Sequence, residues 1–152
     1  SLTDKVLINK LIEASQAGVH IDMVVRGICC LRAGVPDETD NIHIISIVGR
    51  YLEHSRIYIF GRGERARYYI GSADWMTRST LRRVEIAAPV TAPTLKARLQ
   101  HIFNTMLADN SNARVQQPDG NYVRRMPGAD AVDCQAQFYE EAYQANVHSD
   151  LK

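Results

Sequence analysis

The sequence predicts a mixed α/β fold, a sheet flanked by helices on both faces, and three observations predict it. Stretches with apolar residues at helical spacing alternate with short runs rich in β-branched and aromatic residues. Glycine, proline or clustered acids separate one stretch from the next, where helices and strands must end. The 152 residues, 45% apolar and 23% charged, can bury roughly two-thirds of their unfolded-state surface in one core. A single domain over 1–152 is expected, its helices and strands packed in layers.

In LTDKVLINKLIEASQAG, Leu7, Leu11 and Ala14 recur at helical spacing, Asp4 lies in the first turn and Gly18 ends the helix. VHIDMVVRG follows as a strand, with Ile21, Met23 and Val25 on one face and Val24 on the other, closed by Gly27. ICCLRAGVPDETDN reads as a loop with proline and acids at its tip, and IHIISIVG as a second buried strand. RIYIF and RYYIGS flank GRGERA, the pattern of a hairpin with a glycine-containing turn. RRVEIAAPV is a further strand. Thr91 and Pro93 announce the helix TLKARLQHIFNTMLADN, striped by Leu95, Leu99, Ile102, Phe103 and Met106. QPDGNY turns between two short strands, and Asp130 is placed to cap a final helix containing Phe138, Ala142 and Tyr143.

A formal net charge of +1 argues against a generally basic coat for nucleic acid. No apolar run approaches the ~20 residues that cross a bilayer, and no signal-like segment opens the chain, so the cytosol is the expected location. Cys29 and Cys30 are adjacent, Cys134 stands alone and no CxxC occurs; buried thiols are expected, with no metal site.

The near-neutral total hides an asymmetry. From Arg26 to Arg83 there are ten arginines, no lysine and six acids. A solvated surface has no reason to exclude lysine, whereas a site gripping phosphates favours the planar, bidentate guanidinium. An Arg-rich composition is the plainer alternative, although outside this window arginine and lysine number four each.

Polar residues fall where this plan puts ligands. Arg26 ends the first strand, and in open α/β sheets ligands gather beyond the carboxyl ends of strands. His54 and Arg56 open the hairpin, and pairing through its short turn brings them to the same end as the Gly71–Asp74 turn. Such a cluster suits phosphoryl transfer: guanidiniums neutralise charge on the phosphoryl oxygens and an imidazole gives or takes a proton. Plainer roles exist for each. His54 can be a hydrogen-bonded structural residue, as can His20, His43, His101 and the near-terminal His148. Arg26 can be a salt-bridge partner, Glu85 can pair with Arg82 or Arg83, and Asp74 can make an Asx turn. Gly61-Arg62-Gly63 lacks the rest of a phosphate loop and is explained by the hairpin.

The strings ASQAGVHIDMVVRGICCLRAG, SIVGRYLEHSRIYIFG, YIGSADWM and RRVEIAAPV, with the late PDGNYVRR, run in order over most of the chain. Together they resemble the C-terminal catalytic domain of the long bacterial polyphosphate kinase family. The resemblance implies a phospholipase D-like fold used twice in the parent chain. It implies a reversible reaction in which the ATP γ-phosphoryl passes to a histidine and then to polyphosphate, with magnesium. That nucleophilic histidine belongs to a preceding sister domain, so this chain is expected to be an excised fragment, inactive alone. ATP or ADP, inorganic polyphosphate and the rest of the parent chain are the implied partners. A homo-oligomer is implied for the full-length enzyme, which is expected to be cytoplasmic, with peripheral membrane association left open.

Residue by residue, the resemblance places Arg26 on the nucleotide phosphates and makes His54 the second essential histidine, an acid/base or a phosphate ligand. Glu85 matches an acidic position near the active centre that orients His54 or a metal. Arg56 stands where phospholipase D-type HxK motifs have lysine, and Asp74 near their downstream asparagine. These departures favour a kinase over a phospholipase D-like diesterase or nuclease. A non-catalytic polyanion-binding module is the other alternative.

Overall fold

The computed structural model describes residues 1–128 and 130–149, with backbone alone for 148 and 149; the reading of His148 lies outside the described side chains. The order of elements is α1 (Lys5–Gln16), β1 (Ile21–Val24), β2 (Ile42–Ile47), β3 (Ile57–Phe60), a 3-10 turn (Gly63–Arg65), β4 (Arg67–Gly71), α2 (Thr77–Arg82), β5 (Ala87–Val90), α3 (Pro93–Ala108), β6 (Ala113–Gln116), β7 (Tyr122–Arg124) and α4 (Cys134–Ser149). The mixed α/β class holds, and the strands are shared between two sheets. One has the order β1-β2-β6-β7, the other β3-β4-β5. Among the seven described strands, β1 and β2 alone pair in parallel.

Helices cover both faces of the four-stranded sheet, and β2 shows why. Its side chains alternate, so Ile42 and Ile44 enter one cluster with Ile8, Leu11 and Ile12 of α1. Ile45 and Ile47 enter the other, with Ile102, Met106 and Leu107 of α3 and Cys134 and Phe138 of α4. A strand apolar on both faces is what a central position demands. Ile44 and Ile45 are 0% exposed, and each such side chain contributes about 1.5–3 kcal/mol through burial. β1 repeats the pattern: Ile21, Met23 and Val25 face the first cluster and Val24 the second, as its sequence predicts.

Asp4 proves to be the N-cap of α1, accepting from the N–H groups of Val6 and Leu7 at 3.0 Å each. Gly18, with φ of 84°, ends that helix. The N-terminal strand-like segment is threaded between two others: Leu2 bridges both Cys29 and Trp75, and is 1% exposed. It thereby joins the β1–β2 loop to the turn after β4.

Three expectations need correction. The strand expected over residues 82–90 begins only at Ala87, because Ser79 and Thr80 bond back to the Met76 carbonyl and start α2. The last helix is capped by Asp133, whose carboxylate accepts from the Ala136 N–H at 3.0 Å; Asp130 lends only its carbonyl, to Asn110. Of the three thiols only Cys134 is buried: Cys29 is half-buried and Cys30 exposed, on a segment whose N–H is held by the Leu2 carbonyl.

Candidate functional site

The hairpin assembles the site by register. Ile57 pairs with Ile70, and the next N–H, that of Gly71, donates to the Arg56 carbonyl at 3.0 Å. The chain entering β3 therefore lies beside the turn leaving β4, as its short loop predicts. Gly71 permits the approach: a Cβ there would stand 2.9 Å from Cε2 of Tyr58 and 3.3 Å from the Ile86 carbonyl.

Arg56 is the centre of the cluster, its side chain 15% exposed. Nη1 donates to the His54 carbonyl at 2.8 Å and lies 3.1 Å from His54 Nδ1. Nη2 donates to Asp74 Oδ1 at 3.2 Å. Nη1 also stands 3.5 Å from His54 Nε2, so the guanidinium lies against both nitrogens of the exposed ring. Burial raises the Asp74 carboxyl and the Arg56 guanidinium lowers it. The Arg56 Nε–H is buried without a partner.

Glu85 reaches the same turn by another route. Its Oε2 accepts from the Ser72 hydroxyl, Ser72 Oγ accepts from the Ile86 N–H at 3.0 Å, and the Ser72 N–H donates to the Ile86 carbonyl at 3.0 Å. Glu85 therefore neither pairs with Arg82 or Arg83 nor hydrogen-bonds His54 among the described residues. Arg26 follows the carboxyl end of β1, half-buried. Its guanidinium makes no ion pair with the described residues, and no hydrogen bond joins it to His54, Arg56 or Asp74.

Two residues that sequence reasoning passed over also belong here. Tyr58 donates to the Ala73 carbonyl at 3.0 Å and stacks on Trp75 with centroids 5.7 Å apart. Burial pushes its phenol above the ordinary pKa. The pair lines a groove of about 300 Å³ with Phe60, Glu85, Ile86 and Ala87. The alternation in RIYIF already placed Tyr58 on the face opposite Ile57 and Ile59; what it touches depends on the turn after β4.

Of the ten arginines between Arg26 and Arg83, Arg56 alone is ion-paired among the described residues. Arg50 instead lies over the Tyr51 ring, 5.5 Å from its centroid. Among the described residues no group of three His, Cys, Asp or Glu converges to cage a metal ion. The two carboxylates of the site are engaged, Asp74 by Arg56 and Glu85 by Ser72.

A family model described as Polyphosphate kinase C-terminal domain 2 matches residues 1–137. The polyphosphate kinase of Bacillus anthracis is 50% identical over 145 residues, covering 95% of this chain and 21% of the relative. That of Synechocystis sp. is 55% identical over 129 residues, covering 85% and 18%. The crystal structure of polyphosphate kinase from Porphyromonas gingivalis superposes with a TM-score of 0.88 at 39% identity, covering 95% of this chain and 22% of that one. The chain thus spans about a fifth of the length of the relatives it matches.

Proposed function

The chain belongs to the polyphosphate kinase family, as its C-terminal domain 2, and on that premise we propose that it supplies one side of the phosphoryl-transfer centre of such a kinase. The reaction is the reversible passage of the ATP γ-phosphoryl through a phosphohistidine to inorganic polyphosphate. The nucleophilic histidine lies in a sister domain of the full-length enzyme, which acts as a homo-oligomer, and this domain alone is inactive. Among the described residues no helix is long and apolar enough to cross a membrane.

The observation that carries this reading is the single guanidinium joining His54 to Asp74. Held against the Arg56 guanidinium, the exposed His54 ring can donate to a phosphoryl oxygen or return a proton to a leaving group. Arg56 is a positive charge fixed by His54 and Asp74 before substrate arrives, so it stabilises developing charge on the transferring group without reorganising, and Arg26 adds a second guanidinium for the phosphates. Glu85, tied to Ser72, holds the turn that carries Asp74. Magnesium, when bound, neutralises phosphate charge.

Labelled ATP tests the reading in the full-length kinase. His54→Gln is expected to lower polyphosphate synthesis on the order of 10²–10⁴-fold. Loss of the acid-labile phosphoenzyme places His54 in the first transfer; phosphoenzyme that persists without chain growth places it in the second. Undiminished synthesis would leave the arginines a role in grip alone and favour the polyanion-binding module, whose mark is steeply salt-dependent binding.

A further inference from the structure

Residues 48–56 connect β2 to β3 without forming a strand or helix, yet they carry His54. At one end they are held by Arg56, whose carbonyl accepts from Gly71. At the other end the partner comes from the last helix. Gln135, in the first turn of α4 and 6% exposed, treats Tyr51 as a strand would. Its side-chain carbonyl accepts from the Tyr51 N–H at 2.8 Å, and its amide donates to the Tyr51 carbonyl at 2.8 Å. The same amide donates to Glu53 Oε1 at 2.5 Å. Both amide protons and the oxygen are thus spent on residues 51–53.

Gly49 makes room for this contact. A Cβ there would stand 2.6 Å from Oε1 and 3.0 Å from Cδ of Gln135. Behind the glutamine, Cys134 and Phe138 anchor α4 in the second core cluster, so the amide is held by a rigid body. Between the two holds lie only His54 and Ser55.

We propose that Gln135 is a positioning residue for His54: with Gly49 it fixes the 51–53 segment on α4 and so sets where the imidazole stands. This rests on the reading of His54 given above. Gln135 touches no reacting group, and its effect passes entirely through the backbone that ends at His54.

The test uses the full-length kinase carrying Gln135→Leu and, as a variant that keeps the amide but crowds it aside, Gly49→Ala. Hydrogen exchange is read over residues 50–56, with kcat and KM for ATP. Both variants are expected to raise exchange in that segment alone and to lower kcat on the order of tenfold to a hundredfold, with KM for ATP held within about twofold. Gln135→Glu, which sets a carboxylate against Glu53, is expected to lower kcat likewise, and Glu53→Gln to restore part of the loss. Unchanged kcat in both variants, unchanged exchange over 50–56, or a rise in exchange across the whole domain overturns the proposal. His54→Gln assayed alongside separates the two readings. Full activity there removes the reading of His54 and this proposal with it; lost activity there with unimpaired Gln135→Leu and Gly49→Ala removes this proposal alone.

Discussion

One guanidinium spans His54 and Asp74: Arg56 Nη1 donates to the His54 carbonyl at 2.8 Å while its Nη2 donates to Asp74 at 3.2 Å. A lysine ammonium is a single point of charge and cannot occupy both directions of that fork. Arg56→Lys is therefore expected to lower kcat of the full-length kinase about tenfold or more. Steady-state assay checks this, and a variant as active as wild type would mean that charge alone suffices at position 56.

Gly71→Ala places a methyl 2.9 Å from Tyr58 and 3.3 Å from the Ile86 carbonyl. Neither the stacked ring nor the backbone yields easily, so the substitution should destabilise the domain by about 1–3 kcal/mol. The shift of the urea midpoint measures it. A neutral result would show that Tyr58 can leave Trp75 without cost.

Asp109 supplies the pH dependence. It is 0% exposed, and its Oδ1 accepts from the N–H groups of Ser111, Asn112 and Ala113 at 3.1, 2.7 and 2.9 Å. Its Oδ2 accepts from the Cys134 N–H at 2.9 Å. Burial raises the carboxyl, but the N–H groups of Cys134, Asn112 and Ala113 outweigh it, so the native pKa lies below the ordinary 3.8. A lowered native pKa means stability present in full above 3.8 and lost as pH falls through the lower native value. Asp109→Asn turns an N–H toward Cys134 and should cost about 2–3 kcal/mol near neutral pH. Unfolding followed from pH 7 to pH 3 should show a smaller acid loss in the variant than in wild type; parallel profiles would assign the acid sensitivity elsewhere.

The cysteines should react in a fixed order. Cys30 is exposed, and Cys29 is half-buried with its thiol donated to the Leu31 carbonyl. Cys134 is buried, and burial with the nearby Asp109 carboxylate pushes its thiol well up, away from the reactive thiolate. Iodoacetamide followed by peptide mass analysis should modify Cys30 first and Cys134 only after unfolding. Early labelling of Cys134 would contradict the packing of α4 on the sheet.

What could be read from the chain was local. The double-sided apolar run of β2, the stripe of α3 and the glycine turn of the hairpin each declare themselves within about twenty residues, and hairpin register alone brings Arg56 to Asp74 across 18 positions. The division into two sheets could not be read that way, because it depends on β6 choosing β2 over any nearer strand. The six-residue α2 is too short to show a helical period. Glu85 looked like a strand residue facing arginines; its bond to Ser72 is made by the turn, which periodicity does not describe. Gln135 reads as one more polar residue on an exposed helix until α4 is docked.

The clamp on the β2–β3 connection also sets an order of events. Glu53 and Gln135 are separated by 82 positions, which a ribosome takes about 4–16 s to add. The hairpin that carries Arg56 and Asp74 closes in microseconds once it has emerged. During translation the domain therefore has its arginine–carboxylate pair long before it has anything to hold the residues on the other side of His54. The histidine loop takes its shape last, when α4 leaves the exit tunnel, and a chain interrupted before that point carries the parts of a site without their arrangement.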